Sequence, residues 1–176
     1  RPQFAQARRG PFRVAQRKAW LLAPAPPGLS TLRLGVMTYD VPDRDVNVLT
    51  EETLSELSDV LDSVARDGWQ ALIVVSGKPD VFIAGADIDA IKAVQTAHEG
   101  AAKSGGGQAV LRRLSTVGMP TIAAIHGACV GGGAELAIWC SGRVASTDDR
   151  TRIGFPEVRL GIVPGFGGTQ RLPALV

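Results

Sequence analysis

A chain of 176 residues with 45% hydrophobic, 5% aromatic and 20% charged residues has enough apolar content to bury one sizeable core, which excludes a disordered or fibrous protein and makes one domain the default. The net charge of +2 hides an asymmetry: seven of the 19 basic residues precede Met37, where no acidic residue stands, and the other 12 are set against 17 acidic ones. An acidic body argues against a broad nucleic-acid surface, the two cysteines are too few for a disulfide framework, and no apolar run nears the ~18 to 20 residues of a membrane span.

Residues 1–28 are rich in Arg, Ala, Gln and Pro, and Pro24, Pro26 and Pro27 end a stretch that cannot propagate a helix. They read as a basic, Pro-rich N-terminal tail. A linker or upstream segment is favoured over an organelle leader, because no serine precedes Ser30; contact with RNA or a membrane is the third alternative. Residues 29–176 are then the domain. The first residue is Arg and the last follow Pro173, so both ends are expected to be cut from a longer polypeptide.

From Thr31 to Tyr39, Leu32, Leu34 and Val36 alternate with Arg33, Gly35 and Met37, the period of a strand with one buried face. Thr50 is the predicted cap of a helix with Glu51 and Glu52 in its first turn, Leu54, Leu57, Leu61 and Val64 on one face, and Gly68 as its stop. Ala71–Ser76 reads as a buried strand, Thr121–Ile125 as a second, with helical segments between them. Gly105, Gly106 and Gly107 read as a flexible loop joining two helix-like segments. Strands alternating with helices point to an α/β fold with parallel pairing.

Three segments stand out. Phe82-Ile83-Ala84-Gly85-Ala86-Asp87-Ile88 leaves a strand-like run through small residues, which let a ligand approach the backbone, and enters a helix near Asp87. Gly131-Gly132-Gly133-Ala134-Glu135 follows a strand and opens a short helix, aiming free N–H groups and the positive end of a dipole at whatever binds. Gly154-Phe155-Pro156-Glu157 precedes Pro164-Gly165-Phe166-Gly167-Gly168. Each has an ordinary reading as well: a tight turn for the glycines, a dipole-satisfying residue for Glu135, a solvated turn residue for Glu157. His126, Cys129 and Cys140 lack a fourth ligand and a close second pair, so no metal is expected. Neither G-x-G-x-x-G, a P-loop nor G-x-S-x-G is present.

Taken in order, these segments resemble the enoyl-CoA hydratase/isomerase, or crotonase, family, and more narrowly the hydratase domain of multifunctional fatty-acid oxidation alpha subunits. The likeness is carried by Lys78 to Ile88, Ile125 to Leu136 and Pro164 to Pro173, and covers residues 31–176. It implies a crotonase-like spiral of β-β-α units, here incomplete at the C-terminus.

The resemblance further implies an acyl-CoA thioester whose carbonyl oxygen lies between the N–H groups of Ala86 and Gly132. It makes Glu135 and Glu157 the catalytic carboxylates, and Ala84, Gly85, Asp87, Ile88, Gly131 and Gly133 the remaining substrate-binding positions. The implied reaction is addition of water to a 2-enoyl-CoA in fatty-acid β-oxidation, giving 3-hydroxyacyl-CoA. Double-bond isomerisation or another acyl-CoA conversion is the alternative within the fold; a non-catalytic or RNA-contacting fragment is the alternative outside it. Coenzyme A is part of the substrate and no other cofactor is implied. Asp89 stands where some hydratases carry a lysine near the nucleotide, and Lys78 is the candidate charge for the phosphates. Self-association, a thiolase beta subunit as partner in a multifunctional complex, and a location in the bacterial cytoplasm or the mitochondrion complete the expectations.

Overall fold

Trp20 shows where the packed chain begins. In the computed structural model, which describes residues 18–28 and 30–176, its side chain is 2% exposed, stacks on Tyr39 with ring centroids 4.2 Å apart, and donates its indole N–H to the Thr53 carbonyl at 2.9 Å. Trp20–Pro24 form strand β1, antiparallel to β2 (Leu34–Tyr39). The expectation of a tail over residues 1–28 is therefore corrected for these five positions, which form an edge strand. Pro24 is compatible with that place, since proline is tolerated on sheet edges. Of the supposed tail, residues 1–17 lie outside the described residues, and so do the linker, leader and RNA readings that rest on them.

Strand β2 starts later than Thr31 and buries the opposite face from the one expected: Gly35, Met37 and Tyr39 turn inward, while Leu34 and Val36 are half-buried. A strand's faces alternate residue by residue, so assigning the inward face by hydrophobicity alone exchanges every side chain when the larger Met37 and Tyr39 belong inside. Helix α1 (Glu51–Val64) starts where predicted and ends at its Ala65 cap, before the expected stop at Gly68. The Thr50 side chain accepts from the Thr53 N–H at 3.1 Å while the Thr53 hydroxyl accepts from the Thr50 N–H at 2.9 Å, closing both helix-start donors. Leu54, Leu57, Leu61 and Val64 are its buried face.

The remaining strands build two sheets. β3 (Ala71–Ser76), β5 (Thr121–Ile125) and β7 (Gly142–Ala145) extend the first in the order β1-β2-β3-β5-β7, parallel after β2. β4 (Val81–Ile83), β6 (Ala128–Val130) and β8 (Arg152–Gly154) form a second, wholly parallel sheet. After β3, β5 and β7 the chain adds one strand to the small sheet and then passes through helix: α2 (Ile88–Lys92) and α3 (Ala97–Thr116) after β4, α4 (Gly132–Trp139) after β6, a 3-10 turn (Glu157–Leu160) and α5 (Gly168–Arg171) after β8. This is the expected spiral of β-β-α units.

The glycine run is not a loop. Gly105, Gly106 and Gly107 lie inside α3. At Gly107 an added Cβ would sit 2.4 Å from the Phe166 ring, so glycine there admits a neighbouring side chain rather than a turn. The core between the large sheet and the helices gathers Leu57, Leu61, Leu72, Leu111 and Leu114, each side chain contributing roughly 1.5–3 kcal/mol through burial. Among the described residues no helix is long and apolar enough to cross a membrane.

Candidate active site

Asn47 fixes the first wall of the site. Fully buried, its side chain accepts from the Val41 N–H at 2.9 Å and donates to the carbonyls of Tyr39 at 2.8 Å and Phe82 at 3.2 Å, so the chain after β2 is tied to β4. From there the backbone runs as a short ladder: Ala84 N–H to Asn47 O at 2.8 Å, Leu49 N–H to Gly85 O at 2.8 Å, Asp87 N–H to Leu49 O at 3.1 Å. In a ladder, alternate residues point their N–H groups to opposite sides. The Ala86 N–H is thus turned away from Leu49, toward α4, and has no acceptor among the described residues.

Gly131 and Gly132 bring the second wall to it. Gly131 has φ +54°, a conformation that L side chains rarely adopt. The Gly132 N–H is one of the unpaired donors at the start of α4, and a Cβ on Gly132 would lie 3.3 Å from the Ala86 nitrogen. Two backbone N–H groups without an acceptor among the described residues therefore lie close together, with the α4 dipole behind one of them. Leu49 and Phe166 flank them, each 3.4 Å from the same Cβ position.

Glu135 stands in the first turn of α4, 2% exposed. Its Oε1 accepts from the Phe166 N–H at 2.6 Å and the Gly168 N–H at 2.8 Å. Burial raises its carboxyl above the ordinary range, and the neighbouring Glu157 carboxylate adds to this, against the lowering effect of those two N–H groups. Glu157 opens the 3-10 turn after β8 and is 8% exposed. Its Oε1 lies 3.1 Å from where a Gly131 Cβ would be, and its buried Oε2 has no hydrogen-bond partner among the described residues. An unpaired buried carboxylate oxygen is costly unless something polar meets it.

Both glutamates, both N–H positions and the apolar side chains of Leu49, Leu54, Ile91 and Val94 line a cavity of about 540 Å³. That is the size of a small-molecule site, mostly apolar with a few convergent polar groups. The sequence from residue 33 to residue 176 matches the family described as Enoyl-CoA hydratase/isomerase. The chain belongs to that family.

This hydratase/isomerase-family domain is 48% identical over 144 residues to the fatty acid oxidation complex subunit alpha of Shewanella oneidensis, an overlap spanning 81% of this chain and 20% of that protein. Its fold is similar to a crystal structure of the enoyl-CoA hydratase from Geobacillus kaustophilus, with a TM-score of 0.79, 27% identity, and 92% of this chain aligned to 58% of that one. The enoyl-CoA hydratase of Bacillus anthracis gives a TM-score of 0.78 at 27% identity, covering 90% of this chain and 58% of that one. The chain spans about a fifth of the curated relative and under three-fifths of these solved structures.

Of the positions expected in the site, Ala84, Gly85, Ala86, Asp87, Ile88, Gly131, Gly132, Glu135 and Glu157 line the family domain's cavity. Gly133 does not: a Cβ there would lie 2.3 Å from the Ile83 carbonyl, so it is glycine because α4 packs against β4. Lys78 is not free for phosphates. Its side chain is 14% exposed, paired with Asp40 at 2.7 Å and donating to the Val41 carbonyl at 2.9 Å, which braces the loop before Asn47. Asp89 points to solvent, 94% exposed. Asp87 caps α2 and is held below the usual carboxylate range, first by the Ala90 N–H and further by the Asp89 N–H and Arg44. The thiols of Cys129 and Cys140 are pushed up to about 12 by burial, leaving them neutral core groups.

Sequence reasoning missed the clamp on Glu135. The Phe166 and Gly168 N–H groups reach it because the loop is tied to α4: the Trp139 indole donates to the Phe166 carbonyl at 2.7 Å, and Arg171 lies 4.1 Å from the centre of the Trp139 ring. At Gly168 a Cβ would stand within 3.1 Å of Phe155, Pro164 and Glu135 together. The dense glycines at 165, 167 and 168 were the available signal.

Proposed function

We propose that this domain hydrates 2-enoyl-CoA thioesters to 3-hydroxyacyl-CoA within a fatty-acid oxidation complex subunit. The supporting observation is that two buried carboxylates, Glu135 and Glu157, open on one cavity beside two unpaired N–H groups. The thioester oxygen accepts from Ala86 and Gly132, where enolate charge develops as a water oxygen bonds to the β-carbon; one such donor is worth roughly 10²–10³ in rate. One carboxylate takes the proton leaving that water while a proton is delivered to the α-carbon on the same face, so the net change is one water added. The glutamates share the water, and the Glu157 carboxylate helps to raise the Glu135 carboxyl.

Hydration uses what isomerisation leaves idle. Moving a double bond transfers one proton between two carbons, which one carboxylate can do. A second carboxylate with an unpartnered buried oxygen carries a desolvation cost that a bound water offsets. In the full-length protein, Glu135→Gln and Glu157→Gln are each expected to lower crotonyl-CoA hydration by roughly 10²–10⁴-fold, followed by loss of enoyl-thioester absorbance. Rates within about threefold of wild type in both variants overturn the proposal. Faster turnover of 3-enoyl than of 2-enoyl thioesters assigns isomerisation instead.

A further inference from the structure

One wall of the cavity is held differently from the rest. Gly100, Lys103 and Ser104 of α3 face the cavity, yet residues 97–106 bury no side chain; the buried positions of this helix are Gly107, Leu111 and Leu114. Glycines at 100, 105, 106 and 107 each weaken a helix interior by roughly 0.5–1 kcal/mol relative to alanine. A Cβ at Gly105 or Gly106 would meet nothing within 4 Å, so neither glycine is there to admit a neighbour. The second half of α3 is fastened by Leu111 and Leu114 in the core and by Arg113, which donates to the Ser58 carbonyl at 3.0 Å and pairs with Asp62. Among the described residues, one side-chain hydrogen bond ties residues 97–106 to another helix or strand: Lys103 to Glu51, the first residue of α1. Both partners line the cavity.

We propose, building on the acyl-CoA reading above, that the Glu51–Lys103 ion pair sets the length of acyl chain this cavity accepts, by latching the glycine-rich half of α3 against α1. With the thioester oxygen between Ala86 and Gly132, the acyl carbons pass Leu49 and Phe166, which flank Gly132. Beyond Phe166 the wall is α3: the ring lies against Gly107, and the Ser104 hydroxyl is 3.0 Å from where a Gly165 Cβ would stand. A short acyl group ends before that wall. A longer one must part the ion pair or cover it with alkyl chain, and covering a charge with hydrocarbon is unfavourable. The pair is partly exposed, with side chains 37% and 75% accessible, so salt loosens it.

The test compares kcat/KM of the full-length protein for 2-hexadecenoyl-CoA and crotonyl-CoA, with Kd for the matching saturated thioesters measured alongside. The long-to-short ratio is expected to rise about threefold to fivefold in Glu51→Gln and in Lys103→Gln, the scale of a partly exposed ion pair. The double variant is expected to rise no further than either single one, since both break the same contact. The wild-type ratio is expected to rise with salt while those of the variants stay flat. Ratios unchanged in both single variants, additive effects in the double variant, or a wild-type ratio insensitive to salt overturn the latch; the salt series decides where a variant fails to fold. Failure of the hydratase reading is separately visible as absent turnover of both substrates by wild type, in which case the Kd ratios alone judge the latch.

Discussion

Trp139 and Phe166 hold the cavity-lining loop on α4 from both ends of one residue: the indole N–H donates to the Phe166 carbonyl at 2.7 Å, and the Phe166 N–H donates to Glu135 at 2.6 Å. Glu135 and Trp139 are four residues apart, hence on one face of the helix, so a single loop residue spans both. Removing the indole donor leaves a half-buried carbonyl unpaired and frees the loop to swing. Trp139→Phe is expected to cost about 1 kcal/mol, seen as a Tm lowered by about 2–4 °C, and to lower kcat more than it changes KM. An unchanged kcat beside a lowered Tm would break the link drawn from loop to carboxylate.

The Glu135 carboxyl makes stability depend on pH. Its folded value lies above the ordinary 4.5, so the native state holds this proton more tightly than the unfolded chain does. Between 4.5 and the raised folded value the native state binds more protons, and stability falls as pH rises through that window. Glu135→Gln removes the titration while keeping an oxygen for the Phe166 and Gly168 N–H groups. The variant is therefore expected to be more stable than wild type at neutral pH, with the gap closing as pH falls toward 4.5. Urea unfolding across this range measures it, and a gap independent of pH would show that Glu135 does not carry the effect.

Much of this was legible in the sequence, and the errors have physical causes. Thr50 with Leu54, Leu57, Leu61 and Val64 gave α1, because a cap and a 3.6-residue period are local signals. Most of the positions that line the cavity followed from motif resemblance, since glycines needed for close backbone approach leave a mark in sequence. The inward face of β2 did not follow, because Leu34 and Val36 are as apolar as Met37 and only the Trp20–Tyr39 stack decides between them. Strands of three residues such as β4 and β8 have no period to read. Gly105 to Gly107 misled because glycine signals a loop locally, while Phe166, 59 positions beyond Gly107, is what gives Gly107 its helical role.

Those glycines should separate by substitution. Gly105→Ala and Gly106→Ala put a methyl into open space and are each expected to stabilise the protein by about 0.5–1 kcal/mol. Gly107→Ala puts its methyl 2.4 Å from the Phe166 ring. It must displace the residue whose N–H holds Glu135, so it is expected to destabilise and to lower kcat together. Denaturant midpoints and turnover of the three variants decide the matter. Equal stabilisation at all three positions would mean that the Phe166 ring does not rest on α3.

Trp20 is the measure of whether residues before Leu34 belong to the fold. The basic, proline-bounded stretch around it has the composition of a tail, yet its indole is buried, stacked and hydrogen-bonded, and the adjoining N–H groups of Ala19 and Trp20 donate to Glu56 of α1 at 2.8 and 3.3 Å. Truncating such a residue leaves a large cavity over Tyr39 and removes the indole hydrogen bond to the Thr53 carbonyl. Trp20→Ala is expected to cost about 3–5 kcal/mol, a large part of the roughly 5–15 kcal/mol that holds a domain folded. Leu21, its neighbour on the outward face and 50% exposed, supplies the control: Leu21→Ala should stay within about 0.5 kcal/mol. Should both substitutions cost the same small amount, β1 would be an ornament on the sheet edge. A large difference makes it the strand on which β2, and through Asn47 the cavity wall, is registered.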